Sequence, residues 1–357
     1  MKKKFLVMII MLFGVVILGG CRSGDETEAL SSESEGTEEA LSEETEEGSD
    51  ISEVSLDQLN IGVLQGPTAM GMVGPMHEAD QGNLGALTYN FTLAGSPDEV
   101  VPKLVQGNLD IASVPSNLAS ILYNNTDGAI QVIAINTLGV LHIVEAGDSI
   151  SQVEDLRGRT IYASGNSSTP EFVLNYILEG NGLDPHQDVE IEWLAEHTEV
   201  VARLEMNENA VAMLPQPFVT IAQTQNEDIQ MALDLTAEWD QVQAANEGPT
   251  SALIMGVLVA QRELIETYPE LINEFLNQYA NSVEFVNGAV EEAAELIAYY
   301  DIFPAPIATR AIPHSNITFI AGAEMQALFE GYLAVLFEQS PETIGGEMPS
   351  DDFYYIP

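Results

Sequence analysis

The chain has 357 residues, 46% hydrophobic and 7% aromatic, enough for a sizeable core and long for a single domain. Ten Lys+Arg against 56 Asp+Glu give a formal net charge of −46, which excludes DNA and RNA as partners because their affinity comes from neutralised phosphates. A single cysteine excludes a disulfide framework, a thiolate zinc site and an iron–sulfur cluster.

Lys2, Lys3 and Lys4 precede an unbroken apolar run over 5–18. That run is shorter than the roughly 20 residues a membrane-spanning helix needs, and it matches the apolar region of a secretory signal peptide. It leads into Leu18-Gly19-Gly20-Cys21, which holds the only cysteine. This tetrad resembles the bacterial lipobox. The resemblance implies a signal peptide over 1–20, lipidation of Cys21 with diacylglyceryl and palmitate-type chains, and attachment to the extracellular face of the cell membrane. Residues 22–55 hold 13 acidic side chains and one arginine with little apolar content, so 21–56 is expected to be a disordered tether. The longest later apolar run, 253–260, is too short to span a bilayer and reads as a buried strand.

Beyond the tether, apolar runs predict strands at 59–64, 88–93, 109–114, 130–136, 139–145, 160–163, 189–194, 210–214 and 251–260. Ser96-Pro97-Asp98-Glu99 has the form of a capping box with proline at the first helical position and opens a helix to about Gln106. Further helices are predicted after Ser116, after Thr169-Pro170, over 198–206 and after Pro217, then over 265–285, 289–299 and 322–338. The alternation predicts an α/β fold with mostly parallel sheets.

Two strand-to-helix loops carry the candidate chemistry. Gln65-Gly66-Pro67-Thr68-Ala69-Met70-Gly71 has the glycine spacing of a phosphate loop, but Met72 stands where the phosphate-binding lysine is required, so no nucleotide site is expected. A glycine turn, helix-end amides and the Thr68 hydroxyl remain, suited to polar acceptors. The second loop, Ala163-Ser164-Gly165-Asn166-Ser167-Ser168-Thr169-Pro170-Glu171, repeats the plan, with Ser168 and Glu171 or Thr169 and Pro170 as helix-capping pairs. Each loop is also explained by capping alone. Together they favour a cleft with one helix end entering from each side.

Further segments carry a family likeness: Gly107-Asn108-Leu109-Asp110-Ile111-Ala112, Pro115-Ser116-Asn117, Val153-Glu154-Asp155-Leu156-Arg157-Gly158-Arg159-Thr160-Ile161, Ser168-Thr169-Pro170-Glu171 and Leu214-Pro215-Gln216-Pro217. Their order over about 57–345 resembles the substrate-binding proteins of ABC importers with the type II periplasmic-binding fold. More narrowly it is similar to the branch handling sulfonates, taurine, nitrate or bicarbonate, and thiamine-pyrimidine precursors. That branch often has an acidic residue where Gln216 sits, so the resemblance implies no charge contact there. The cysteine-rich motif of fungal pyrimidine-synthesising relatives is missing, so their chemistry is not implied. The resemblance implies two lobes of mixed sheets flanked by helices, 57–140 plus 250–357 and 141–249, with hinge crossings near 137–142 and 248–252. It also implies a solute held by Gly66, Pro67, Thr68, Ala69, Ser116, Asn117 and Asn136 from one lobe, and by Asn166, Ser167, Ser168, Thr169 and Gln216 from the other. The function implied is an extracytoplasmic receptor, expected to be a monomer, that delivers a small solute to ABC permease subunits.

An extracellular enzyme or ligand sensor on the same fold stays open as the alternative. Gly165-Asn166-Ser167-Ser168-Thr169 nearly spells a nucleophile elbow, but Thr169 replaces the final glycine. The five histidines show no ligand pair at metal-binding spacing, and paired catalytic carboxylates cannot be singled out of the acidic surplus, so neither a catalytic residue, a metal nor another cofactor is expected. His142 falls near the expected hinge, where a lone histidine most often serves structure. The solute is expected to be a sulfonate-like anion or a heterocyclic, vitamin-precursor-like molecule. The scarcity of cations after the tether (Lys103, Arg157, Arg159, Arg203, Arg262, Arg310) tilts the balance toward a neutral or weakly charged one. Trp239, Tyr89, Tyr123 and Phe218 are candidates for a stacking wall, each with core packing as its bland explanation.

Overall fold

The structure, a computed structural model, describes residues 56–357 except 86, 208 and 246–250. The expected signal peptide, Cys21, the tether up to residue 55 and 248–250 of the second expected crossing lie outside the described residues.

The chain opens with β1 (Gln58–Leu64), α1 (Pro67–Gly71), α2 (Val73–Asp80), β2 (Thr88–Ala94), α3 (Pro97–Val105), β3 (Ile111–Pro115), α4 (Ser116–Asn125) and β4 (Ile130–Leu138). A second group follows: β5 (Leu141–Ala146), β6 (Thr160–Ser164), α5 (Thr169–Gly180), β7 (Glu190–Leu194), α6 (His197–Met206), β8 (Val211–Pro215), α7 (Phe218–Gln225), β9 (Ile229–Asp234) and α8 (Leu235–Ala245). The chain ends with β10 (Ile254–Gln261), α9 (Arg262–Thr267), α10 (Pro269–Gly288), α11 (Val290–Tyr299), α12 (Ala305–Ala311), β11 (Ile317–Ile320) and α13 (Gly322–Gln339).

Two sheets result, one ordered β11-β4-β10-β3-β1-β2 and the other β7-β6-β8-β5-β9. The pairs β1·β2, β1·β3, β6·β7 and β6·β8 are parallel. The pairs of β10 with β3 and β4, of β11 with β4, and of β5 with β8 and β9 are antiparallel. The sheets are therefore mixed rather than mostly parallel. The physical reason is that a strand buried on both faces, such as β4 or β10, carries a continuous apolar run whichever way it points.

Local sequence explains several ends. Prolines at the first helical positions start α3, α5 and α10. Pro269 also splits the single helix expected over 265–285 into α9 and α10, because the residue before a proline is pushed out of the helical region and Tyr268 adopts ψ 57°. Strands β9 and β11, which hydropathy did not reveal, have exposed or half-buried residues within them and no long apolar run.

Apolar packing forms three clusters. One, built on β1, α1, α2, α10 and α11, covers one face of the first sheet. A small one backs the second sheet with α6 and α7. The largest joins residues of both sheets, with Val257 and Ile135 from the first, Ile143 and Ile161 from the second, and Trp239 and Tyr332 from α8 and α13. The direct link between the sheets is Gly139 and Val140, between β4 and β5. A β-carbon on Gly139 would collide with the Thr236 hydroxyl and stand 2.9 Å from Leu253. Gly139→Ala is expected to destabilise the protein by about 1–3 kcal/mol through overpacking, read as a lowered urea midpoint at unchanged m-value.

Candidate functional site

The parallel strands β1, β3, β6 and β8 each run into a helix at their C-terminal ends, and these turns hold most of the expected site residues. Gly66 precedes α1 at φ +122°, a conformation that disfavours a side chain. The Thr68 hydroxyl donates back to the Leu64 carbonyl at 2.6 Å, so it holds the turn. Pro67 and Ala69 lie within α1 itself. At the start of α4 the Ser116 hydroxyl donates to Ile254 O at 2.6 Å and lies 3.3 Å from the Tyr332 hydroxyl.

In the second sheet Ser168 is the N-cap residue of α5, but its hydroxyl donates to Gly165 O at 2.7 Å instead of accepting from the helix. Asn166 and Ser167 are exposed and bond to each other, and the Ser167 N–H donates to the Glu171 carboxylate at 2.5 Å. The helix therefore supplies its own anion at this end. Gln216 is buried and accepts from the Thr220 hydroxyl at 2.9 Å.

One bond connects the two sets of turns. The Thr169 hydroxyl of α5 donates to Asn117 Oδ1 of α4 at 2.9 Å, and Asn117 Nδ2 donates to Thr343 O at 3.1 Å. Beside it lies a cavity of about 300 Å³. Pro97, Pro115 and Met255 form its wall from the first sheet's side; Ser164, Ser168, Thr169 and Pro170, then Ala195, Glu196 and His197, form the other.

Sequence reasoning missed Ser164 and His197. Ser164 Oγ lies 2.5 Å from His197 Nδ1, and the imidazole packs on Phe218 at 4.8 Å between centroids. Burial pushes the His197 pKa from 6.5 down to about 4, so the ring is neutral near pH 7. The available signal was a third strand-to-helix turn, between β7 and α6, like the two already singled out.

A second concentration of polar groups lies where the chain passes between the sheets. Among the described residues, the buried side-chain atoms without a hydrogen-bond partner include both amide atoms of Asn136, both ring nitrogens of His142, the hydroxyls of Thr137, Thr236 and Ser251, and Trp239 Nε1. Buried polar atoms are normally paired, and unpaired ones call for an explanation. Asn136 is fully buried, and a β-carbon on Gly256 would meet its Oδ1 at 2.6 Å and the Thr68 methyl at 3.1 Å. Asn136 in β4 thus lies against Gly256 of β10 and near Thr68 of α1. Burial lowers the pKa of His142, Asp234 opposes that shift, and His314 adds to it.

The aromatic candidates divide. Phe218 reaches the cavity through His197, and Trp239 is packed between Tyr176 and Tyr332 at 4.5 and 5.6 Å. Tyr89 packs on Phe91 and Phe275, and Tyr123 on Phe353, both away from the turns. A larger depression of about 650 Å³, bordered by Gly147, Glu205 and Asp228, lies at the opposite end of the second sheet's parallel strands.

The family described as ABC transporter, phosphonate, periplasmic substrate-binding protein matches residues 83–300. The chain belongs to this family. Among solved structures, an ABC transporter protein from Parabacteroides distasonis superposes with a TM-score of 0.69 at 19% identity, over 84% of this chain and 99% of that one. The periplasmic aliphatic sulphonate binding protein SsuA of Escherichia coli superposes with a TM-score of 0.68 at 17% identity, over 85% and 93%. The zinc-bound ligand-binding component of an ABC-type import system from Staphylococcus aureus gives 0.64 at 14%, over 84% and 97%. No curated protein matches in sequence. The architecture is therefore the two-lobed periplasmic-binding fold, with mixed sheets flanked by helices, and the family is one of solute-binding receptors of ABC importers. Among the described residues no helix is long and apolar enough to cross a membrane.

The neutral His197 makes a pH prediction for this substrate-binding protein. Its folded pKa is about 4 against an ordinary 6.5, so the unfolded chain binds more protons in between and stability falls as pH drops through that window. Burial of His142 acts in the same direction. His197→Gln is expected to flatten the fall in Tm between about pH 7 and pH 5, and an unchanged slope would show that His197 titrates normally.

Proposed function

We propose that the protein is a lipid-anchored receptor of an ABC importer, which closes two lobes on a small organic solute and presents it to the permease. The lobes are residues 57–140 plus 250–357 and residues 141–249, turning about 137–142 and 248–252. The observation that carries this reading is the meeting of the turns after β3 and β6 at one cavity, with the Asn117–Thr169 bond holding its two sides together. A bond of this kind, made by one polar side chain from each lobe, forms only when the lobes close. Hinge closure itself requires backbone change only at a few segment ends.

In this reading Asn117 and Thr169 act as the latch, and Asn136, Ser168 and the amides around Gly66, Pro67, Thr68 and Ala69 face the solute. Ser116 and Gln216 hold the walls through their bonds to Ile254 and Thr220. Asn166 and Ser167, both exposed, would meet the solute from the same loop as Ser168. The receptor works as a monomer, its Cys21 acylated after removal of residues 1–20, with the acidic tether between the anchor and the lobes. Capture involves no bond chemistry. The one serine that meets a histidine, Ser164, does so through Nδ1, and among the described residues no carboxylate bonds to that ring. An imidazole without an orienting acid is a poor general base for serine.

Two measurements test the reading. Small-angle scattering of the full chain is expected to show a smaller radius of gyration with its co-purified solute than after solute removal. Thr169→Val, lacking the latch bond, is expected to release the solute roughly 3–10-fold faster, the equivalent of about 1 kcal/mol. A radius indifferent to solute would sink the receptor reading. For the anchor, metabolic labelling with an alkyne-tagged palmitate is expected to mark the parent protein and to leave Cys21→Ser unmarked and released from the membrane fraction.

A further inference from the structure

The unpaired polar atoms gather at one place in the fold. Among the described residues twelve buried side-chain atoms have no hydrogen-bond partner, and eight of them belong to Asn136, Thr137, His142, Thr236, Trp239 and Ser251. Thr137 stands near the end of β4, just before the Gly139–Val140 connection, and His142 near the start of β5, just after it. Ser251 lies shortly before β10, on the second crossing. Thr236, at the start of α8, reaches the same spot, because a β-carbon on Gly139 would meet its hydroxyl and Leu253 together.

Nearby polar groups are committed elsewhere. The Asn316 carboxamide donates to Gly139 O, and the Asp234 carboxylate accepts the Thr236 N–H at 2.9 Å rather than its hydroxyl. Thr137, His142, Thr236 and Ser251 do not border the cavity beside the latch, so a solute held there leaves them unpaired.

Apolar contacts at the same place act in the opposite sense. Trp239 of α8 packs on Tyr332 of α13 at 5.6 Å, and the buried Leu141, Leu253 and Ile254 belong to the cluster shared by both sheets. Bringing the sheets together covers this surface and so favours closure. The same motion takes three hydroxyls and an imidazole out of water and gives them no partner in exchange, which opposes closure. A hinge that turns about 137–142 and 248–252 opens where these groups lie.

We propose that the unpaired groups at the crossings are an opening device: Thr137, His142, Thr236 and Ser251 are positioning residues that keep the empty receptor open, so that closure waits for solute. This inference rests on the solute-receptor reading and is independent of which solute is bound. Affinity is then reduced by the small fraction of empty molecules already closed. Relieving the opposition at the crossings raises that fraction and tightens binding, through residues that touch neither solute nor latch.

Threonine and valine have nearly the same shape, so Thr137→Val and Thr236→Val delete an unpaired hydroxyl and little else. The chain has two tryptophans, Trp193 and Trp239. In a Trp193→Phe background of the full chain, the emission of Trp239 reports whether it is packed on Tyr332 or reached by water, and small-angle scattering gives the radius of gyration. With solute removed, each valine variant is expected to show emission at shorter wavelength and a smaller radius than the parent, its closed-to-open ratio raised about 5-fold. The solute carried through purification, weighed by native mass spectrometry, is expected to leave the variants more slowly on dialysis. A purely structural role for the hydroxyls would change the urea midpoint and leave emission and radius where they are in the parent. If Thr236→Val does not fold, Ser251→Ala carries the same expectation. Emission and radius unchanged in the variants, or shifted toward the open form, would overturn the inference, while contraction of the parent with its solute leaves the receptor reading intact. If the parent has the same radius with and without its solute, the receptor reading falls and this inference with it.

Discussion

The two-residue connection of Gly139 and Val140 constrains everything else in this molecule. Strand β4, next to the edge strand β11 of one sheet, is followed almost at once by β5, next to the edge strand β9 of the other, so the two sheets are tied through strands one in from an edge. With so little chain between them, the turns following β3 and β6 are brought to the same region, and the Asn117–Thr169 bond can form. The apolar cluster shared by both sheets, with Trp239 between Tyr176 and Tyr332, packs on the same seam. A side chain at Gly139 would fall on Thr236, which is why the connection has no spare volume.

The seam is also where the hydrogen-bond accounting fails to close. Asn136, Thr137, His142, Thr236 and Ser251 all lie on or next to the segments that run between the sheets, and each has a buried polar atom without a partner. Ser116, Gln216, Thr68 and Ser168 are all bonded to nearby backbone or side chains, and among the described residues a few buried atoms away from the seam, the Tyr279 and Tyr354 hydroxyls among them, also have no partner. That contrast separates groups that hold the turns from groups without an internal partner. It also assigns different roles to residues that the sequence pattern presented as equivalent hydroxyls and amides.

The acidic composition acts at two scales. Over the surface it gives a field that slows approach of anions. Locally it acts through single carboxylates, Glu171 and Glu199, which accept backbone N–H groups at the starts of α5 and α6. These contacts belong to this chain rather than to the family likeness.

Much of the fold could be read from the residues. Each predicted strand corresponds to an observed one within about three residues, because alternating or continuous apolar runs bounded by Gly, Pro and Ser reflect burial directly. The proline-started helices α3 and α5 were legible for a similar local reason. Strand direction was not, since burial of β5 or β10 is the same in either sense, and neither were β9 and β11, whose exposed residues hide them. By itself the sequence determined the α/β class, the strand-to-helix turns and the shortage of cations, all consequences of local pattern and composition. Only the tertiary structure decided that Thr169 meets Asn117, that Ser164 meets His197 33 residues away, and that Asn136 finds no partner among the described residues. Those facts depend on which groups come within hydrogen-bond reach after two sheets close, and residues far apart in the chain carry no local mark of that meeting.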